Sequence, residues 1–224
     1  MVNSKKTNDI VLWSTVSVAL LALGYLIFKK VVKSSKPKSA FKKKLVNLTN
    51  EEWQYWDKGE KKENNSSMYT RLKDYWNSIG WNESGWSPTG TAWSAAFISH
   101  VMKKAGAGED FKYASSHSKY ISDAVKNRKE GNSNPFKAYR LGEKQATPEL
   151  GDLVCYSREN TTDLYDRDSG YKSHCDIVVR KSSDSIDVIG GNVGRTVKKK
   201  SYSLNPDGTV KKSGKLFAVI KNAK

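Results

Sequence analysis

After Pro148 the chain breaks into five short apolar runs, "DLVCY", "CDIVVR", "SIDVIGG", "TVKKKSYSL" and "KLFAVIK". They are rich in β-branched residues, bounded by turn formers and too short for buried helices, so each reads as a strand. The spacing therefore predicts a meandering, largely antiparallel sheet of about five strands.

The preceding hundred or so residues have a different period. "EEWQYWDKGEKK" and "SMYTRLKDYWNSIG" read as amphipathic helices, the second placing Tyr69, Leu72, Tyr75, Trp76 and Ile79 on one face. "WNESGWSPTGT" is a loop by its Gly, Pro, Asn and Ser content. A third helix is expected from a cap at Thr91 to Ala105, where "GAG" stops it, and a fourth over roughly residues 116–127. Helices followed by strands indicate an α+β domain, and 224 residues suffice for one such core. No internal repeat is visible.

The N-terminal segment does not belong to that pattern. "IVLWSTVSVALLALGYLIF", residues 10–28, carries no charge and is just long enough to cross about 30 Å of hydrocarbon as a helix. It reads as a single transmembrane helix behind a short tail, residues 1–9. A signal peptide is the rival reading, but Lys29 and Lys30 follow at once and no small-residue cleavage site is present. Residues 29–49 then read as a basic juxtamembrane linker meeting anionic lipid head groups, with the domain proper over 50–224. Lys29, Lys30, Lys33, Lys36, Lys38, Lys42, Lys43 and Lys44 outnumber Lys5 and Lys6, so the positive-inside rule puts the domain inside.

The net charge of +16 is mostly local to this region. Residues 1–44 hold ten Lys against one Asp, and the remaining 180 hold 29 basic and 22 acidic side chains. With no Arg-rich stripe or zinc-finger spacing, nucleic acid is not an expected partner. Cys155 and Cys175 are too few for a disulfide scaffold, and reduced thiols are expected. Asp163, Asp166 and Asp168 lack the Gly and Glu of an EF-hand and read as solvated acids in the polar insert 157–173, a loop at the rim of a cleft.

Chemistry is suggested by phase. Ser94, Ile98, Val101 and Ala105 form one stripe of the third helix, so Ser94 faces the core in the first helical turn, whereas His100 lies around the helix and reads as a surface histidine. In "SHCDIVV", His174 and Asp176 share one strand face and Cys175 takes the other. A helix N-terminus stabilises negative charge on a nucleophile or oxyanion, an imidazole moves the proton, and a third polar group fixes the imidazole. Asn192 in "VIGGNVG" is placed for that third role, the two glycines allowing close backbone approach.

The order "WSAAFIS", "GDLVCY", "HCDIVV", "IGGN" resembles the papain-like cell-wall amidase superfamily, which includes NlpC-type peptidases and CHAP amidases. It looks closest to an uncharacterised bacterial branch carrying the same run of motifs. The resemblance covers about residues 50–222. It implies a papain-like α+β fold with helices packed on the sheet, no metal or cofactor, and a catalytic cysteine, histidine and polar third residue. The matching positions here hold Ser94, His174 and Asn192, so the nucleophile departs from the pattern. The activity implied is that of a membrane-anchored peptidoglycan amidase or endopeptidase-like hydrolase acting on an amide bond. The alternative is a catalytically degenerate papain-like domain that binds wall or protein, or a structural membrane protein, including one of a virion. Wall lies outside the cytoplasmic membrane, in conflict with the Lys bias; a viral membrane or another amide substrate would remove the conflict.

Each residue also has a plainer reading. Ser94 is a common first-turn residue, His174 a strand histidine, Asn192 a turn former, and Asp176 either a substitute partner for His174 or a charge on the cleft wall. Cys155 is an alternative nucleophile or a small buried hydrophobe. His117 lines the cleft or caps its helix. Trp81, Trp86 and Trp93 stack on substrate or fill the core, and Asp152 supports the cleft or serves a turn.

Overall fold

A computed structural model describes residues 35–81 and 91–224. The predicted tail and membrane span, Lys29, Lys30, Lys33 and Trp86 lie outside the described residues. Among those described, no helix is long and apolar enough to cross a membrane.

The described residues form four α-helices, α1 (Ala40–Tyr55), α2 (Tyr69–Asn77), α3 (Ser94–Ala105) and α4 (His117–Lys129), and one antiparallel sheet. Its strands are β1 (Phe136–Arg140), β2 (Leu153–Ser157), β3 (Ser173–Lys181), β4 (Ser185–Gly190), β5 (Lys198–Ser203) and β6 (Leu216–Asn222). The spatial order is β1-β6-β2-β3-β4-β5. The α+β class is as expected, and the five predicted strands are β2 to β6. Only β2 to β5 meander; β6 returns across the sheet to pair with β2 and with a sixth strand, β1, which the sequence pattern did not reveal. Five residues flanked by helix and turn signals, "FKAYR", become a strand because β6 offers them a free edge.

The domain also begins earlier than expected. Residues 40–49, assigned to a linker, form most of α1. Ser39 caps it by accepting the Lys42 amide proton at 3.1 Å, and its hydroxyl donates to the Lys224 carbonyl at 2.6 Å, tying the helix to the C-terminus. Leu45, Val46, Thr49 and Glu52 form the buried face. Lys42 is not a lipid-facing charge: it is buried, and its ammonium lies 3.5 Å from the carboxylate of Asp152. Asp152 is fully buried, accepts the amide protons of Glu149 and Asn222 at 2.8 and 3.0 Å, and also pairs with Lys221. It is a junction between α1, β2 and β6. The carbonyl of Asp152 accepts the amide proton of Val178, which lies four residues, about 13 Å of strand, along β3 from His174.

Ten of the twelve residues of α3 are buried, because α1 and α2 cover the side away from the sheet. His100 is therefore not a surface histidine. It is 3 % exposed, with Nδ1 2.7 Å from the Ser78 hydroxyl and 3.2 Å from the Asp74 carbonyl, and Nε2 3.8 Å from Glu52. Burial first, then Lys104, lowers its pKa from 6.5 to about 4. The unfolded chain takes up this proton near pH 6.5 and the folded one only near pH 4. The neutral form's stabilising contribution is complete above pH 6.5 and declines as pH falls, at roughly 1.4 kcal/mol per pH unit within that window. Urea unfolding at pH 7, 5.5 and 4.5 is expected to show this slope, and His100→Gln to reduce it by about one proton's worth.

Cys155 and Cys175 are bonded to each other. The register of β2 and β3 sets them directly opposite, so the expectation of free thiols is corrected. A sequence separation of 20 hides a pairing that the sheet makes immediate.

Candidate functional site

The candidate site forms where the N-termini of α3 and α4 meet the start of β3. Ser94 is the first residue of α3, and no side chain caps this helix. Its hydroxyl is not spent on the backbone: Oγ lies 2.7 Å from Nε2 of His117, the first residue of α4. Ser94 is only 5 % exposed.

The other nitrogen of His117 determines where its proton sits. Nδ1 accepts the backbone amide proton of Cys175 at 3.1 Å, and the Tyr120 hydroxyl, one helical turn on, also contacts it. An amide N–H can only donate, so Nδ1 keeps its lone pair and the neutral ring carries hydrogen on Nε2. Burial, reinforced by His174 and Arg158, holds the His117 pKa well below the ordinary value, so the ring is neutral near pH 7. Nε2–H therefore donates to Ser94, and the Ser94 hydrogen has no acceptor among the described residues.

His174 lies behind His117, the ring centroids 4.8 Å apart, with Tyr156 against it at 4.9 Å. Its Nδ1 faces the Arg158 guanidinium at 3.2 Å and its Nε2 faces Asp176 Oδ1 at 2.9 Å. Arginine only donates, so His174 too carries its proton on Nε2, toward Asp176. Burial lowers its pKa and Asp176 offsets this only in part. Burial alone would raise the Asp176 pKa, but His174 and Lys200 outweigh it and hold the carboxylate below its usual range. Lys200 closes the chain, 2.8 Å from Asp176 Oδ2 and 4.3 Å from the centre of the Tyr156 ring.

The close approach expected at "GG" is present. A methyl on Gly190 would sit 1.8 Å from Asp176 Oδ1 and 2.8 Å from His174 Nε2, and one on Gly191 2.6 Å from Phe97. Only hydrogen fits where the end of β4 passes over the pair.

The structure brings together Ser94, His117, His174 and Asp176, with different contacts from those expected. The hydroxyl meets His117, read from sequence as a cleft-lining or capping residue, and no hydrogen bond joins Ser94 to His174 among the described residues. Asn192 has a left-handed φ of 56° in the turn after β4, and no hydrogen bond joins it to His174; Asp176 occupies that position. Trp93 is fully buried, stacked on Trp56 at 4.9 Å with its indole N–H donating to Glu63 at 2.7 Å, so it supports the site from beneath and has no open face for substrate. Cys155 is excluded as a nucleophile by its disulfide. Asp152 belongs to the α1 junction.

Arg158 was missed. It lies in the polar insert, and sequence carries no signal that this arginine folds back over His174; only the β2–β3 register places it there. The insert does supply part of the rim: Arg158, Gly170, Tyr171, Lys172 and Ser173 line a cavity of about 400 Å³ that reaches Ser94 and His117. Asp166 is paired with Lys129 and Arg140 instead of grouping with other acids, and no group able to hold a metal ion occurs among the described residues.

These features define an α+β domain with a buried serine–histidine contact backed by a row of paired side chains, His174, Asp176 and Lys200. The chain belongs to the family described as an uncharacterized protein conserved in bacteria (DUF2272), which matches residues 47–220. Neither the curated proteins nor the solved structures contain a match to it.

Proposed function

We propose that this chain is a papain-like domain of the NlpC and CHAP type whose Ser94 cleft binds a peptidoglycan peptide, or another amide ligand, without turning it over. The carrying observation is the Cys175 amide proton on Nδ1 of His117. It keeps the imidazole proton on Nε2, so the ring facing Ser94 has no lone pair with which to take the serine's proton. A general base needs that lone pair. His174 offers no substitute, since both its nitrogens are engaged by Arg158 and Asp176. A serine hydroxyl, far less acidic than the thiol the family implies, depends on such a base.

The membrane span at 10–28 remains part of this reading, and the disulfide supports an oxidising location for the domain, the side on which bacterial wall lies. The Lys bias is a weaker counter-argument than it looks in sequence. Lys42, Lys43 and Lys44 sit on α1 of the folded domain, and Lys38 pairs with Glu149.

A second reading, hydrolysis with Ser94 as nucleophile, is favoured by its 2.7 Å contact with His117 at a helix N-terminus. Incubating the full chain with purified sacculi separates the two. Co-sedimentation with no released peptide is expected. Peptide release that disappears in Ser94→Ala would replace binding with hydrolysis, and failure to sediment would remove wall as the ligand.

A further inference from the structure

The cavity beside Ser94 is lined by donors. No Asp or Glu faces it, while Arg158 and Lys172 stand at its wall and form no salt bridge with any described carboxylate. α3 and α4 both begin there, so the positive ends of two helix dipoles converge on it. Two hydroxyls point independently to a missing acceptor. Ser173 is 8 % exposed and its Oγ has no hydrogen-bond partner among the described residues. Ser94 accepts from His117 and so has its own hydrogen to give. A buried donor without an acceptor is costly, and a ligand oxygen would satisfy both.

We propose that this cavity is a carboxylate-binding subsite, with Arg158 as the charged partner, Lys172 adding attraction, and the Ser94 and Ser173 hydroxyls donating to the carboxylate oxygens. This rests on the reading that the cleft holds a peptide, and it specifies the group recognised: a free carboxylate, at a chain end or on a side chain. Arg158 spends one guanidinium nitrogen on His174 and keeps further N–H donors for a ligand.

The test titrates the full chain with N-acetyl-alanine and with N-acetyl-alaninamide, following the Cys175 amide and the His117 imidazole by NMR. The acid is expected to shift these signals saturably and the amide not to. Arg158→Met is expected to weaken acid binding by about tenfold or more, with Arg158→Lys recovering part of the loss. Arg158 is exposed, so both variants should fold, and far-ultraviolet circular dichroism checks that. Equal binding of the amide, or undiminished binding by Arg158→Met, overturns the subsite. Sacculus binding measured in parallel keeps the two proposals apart. Sacculi bound without acid binding removes the subsite alone, and acid bound without sacculus binding removes wall as the ligand and leaves the subsite standing.

Discussion

Asp152→Ala is expected to lower the unfolding free energy by roughly 3–5 kcal/mol, read from the urea midpoint at pH 7. The carboxylate is fully buried between Lys42 and Lys221 and accepts two backbone amide protons. Its removal leaves a lysine that is itself buried without a counter-charge, and leaves the Glu149 and Asn222 amides unpaired. The buried pair need not be a large net source of stability for this to hold, because the cost comes from stranding one half of it. Removing Lys42 as well should therefore be less damaging than the sum of the single changes. If Asp152→Ala together with Lys42→Met costs as much as the two singles added, the stranded-charge account fails.

Trp93→Ala should cost a similar amount, roughly 3–5 kcal/mol, for a different reason. The indole fills the space between α3 and the start of the chain's core, stacked on Trp56 and 5.7 Å from the Tyr75 ring, and it carries the hydrogen bond to Glu63. Its loss opens a cavity directly under the residue that begins α3, so the Ser94–His117 contact should loosen too. NMR of the His117 ring and the Cys175 amide would report this. Trp93→Phe keeps most of the packing and loses the N–H, so its cost should fall to about 1–2 kcal/mol, mainly the unpaired Glu63 oxygen. An unchanged His117 environment in Trp93→Ala would show that Ser94 is positioned from elsewhere.

Local rules were sufficient for much of this molecule. Period and turn chemistry placed five strands, α2 to α4 and the Gly106 stop of α3, whose φ of 96° is the left-handed cap that glycine favours. Strand alternation put His174 and Asp176 on one face, and the 2.9 Å bond between them follows from that spacing. The helix stripe put Ser94 inward. Where local reading failed, the deciding contact was always distant in sequence. His100 is buried against α2 and the residue that follows it, Ser78, 22 positions earlier; Lys42 is buried by Asp152, 110 residues away; Cys155 meets Cys175 through strand register. A lysine-rich stretch looks like a linker until a buried acid on another element accepts one of its charges.

The site divides along the same line. Residue types, alternation and helix phase were enough to nominate Ser94, His174 and Asp176, because those depend only on neighbours a few positions apart, whereas His117 read only as a residue that lines the cleft or caps its helix. Which of them touch, and which nitrogen holds each proton, depends on where the Cys175 amide and the Arg158 guanidinium arrive after the chain has folded. Those two donors come from the backbone of β3 and from a long polar loop, and neither carries a sequence signature for its partner. Tertiary placement alone sets His117, and not His174, against the Ser94 hydroxyl, and puts Asp176 where Asn192 was expected beside His174.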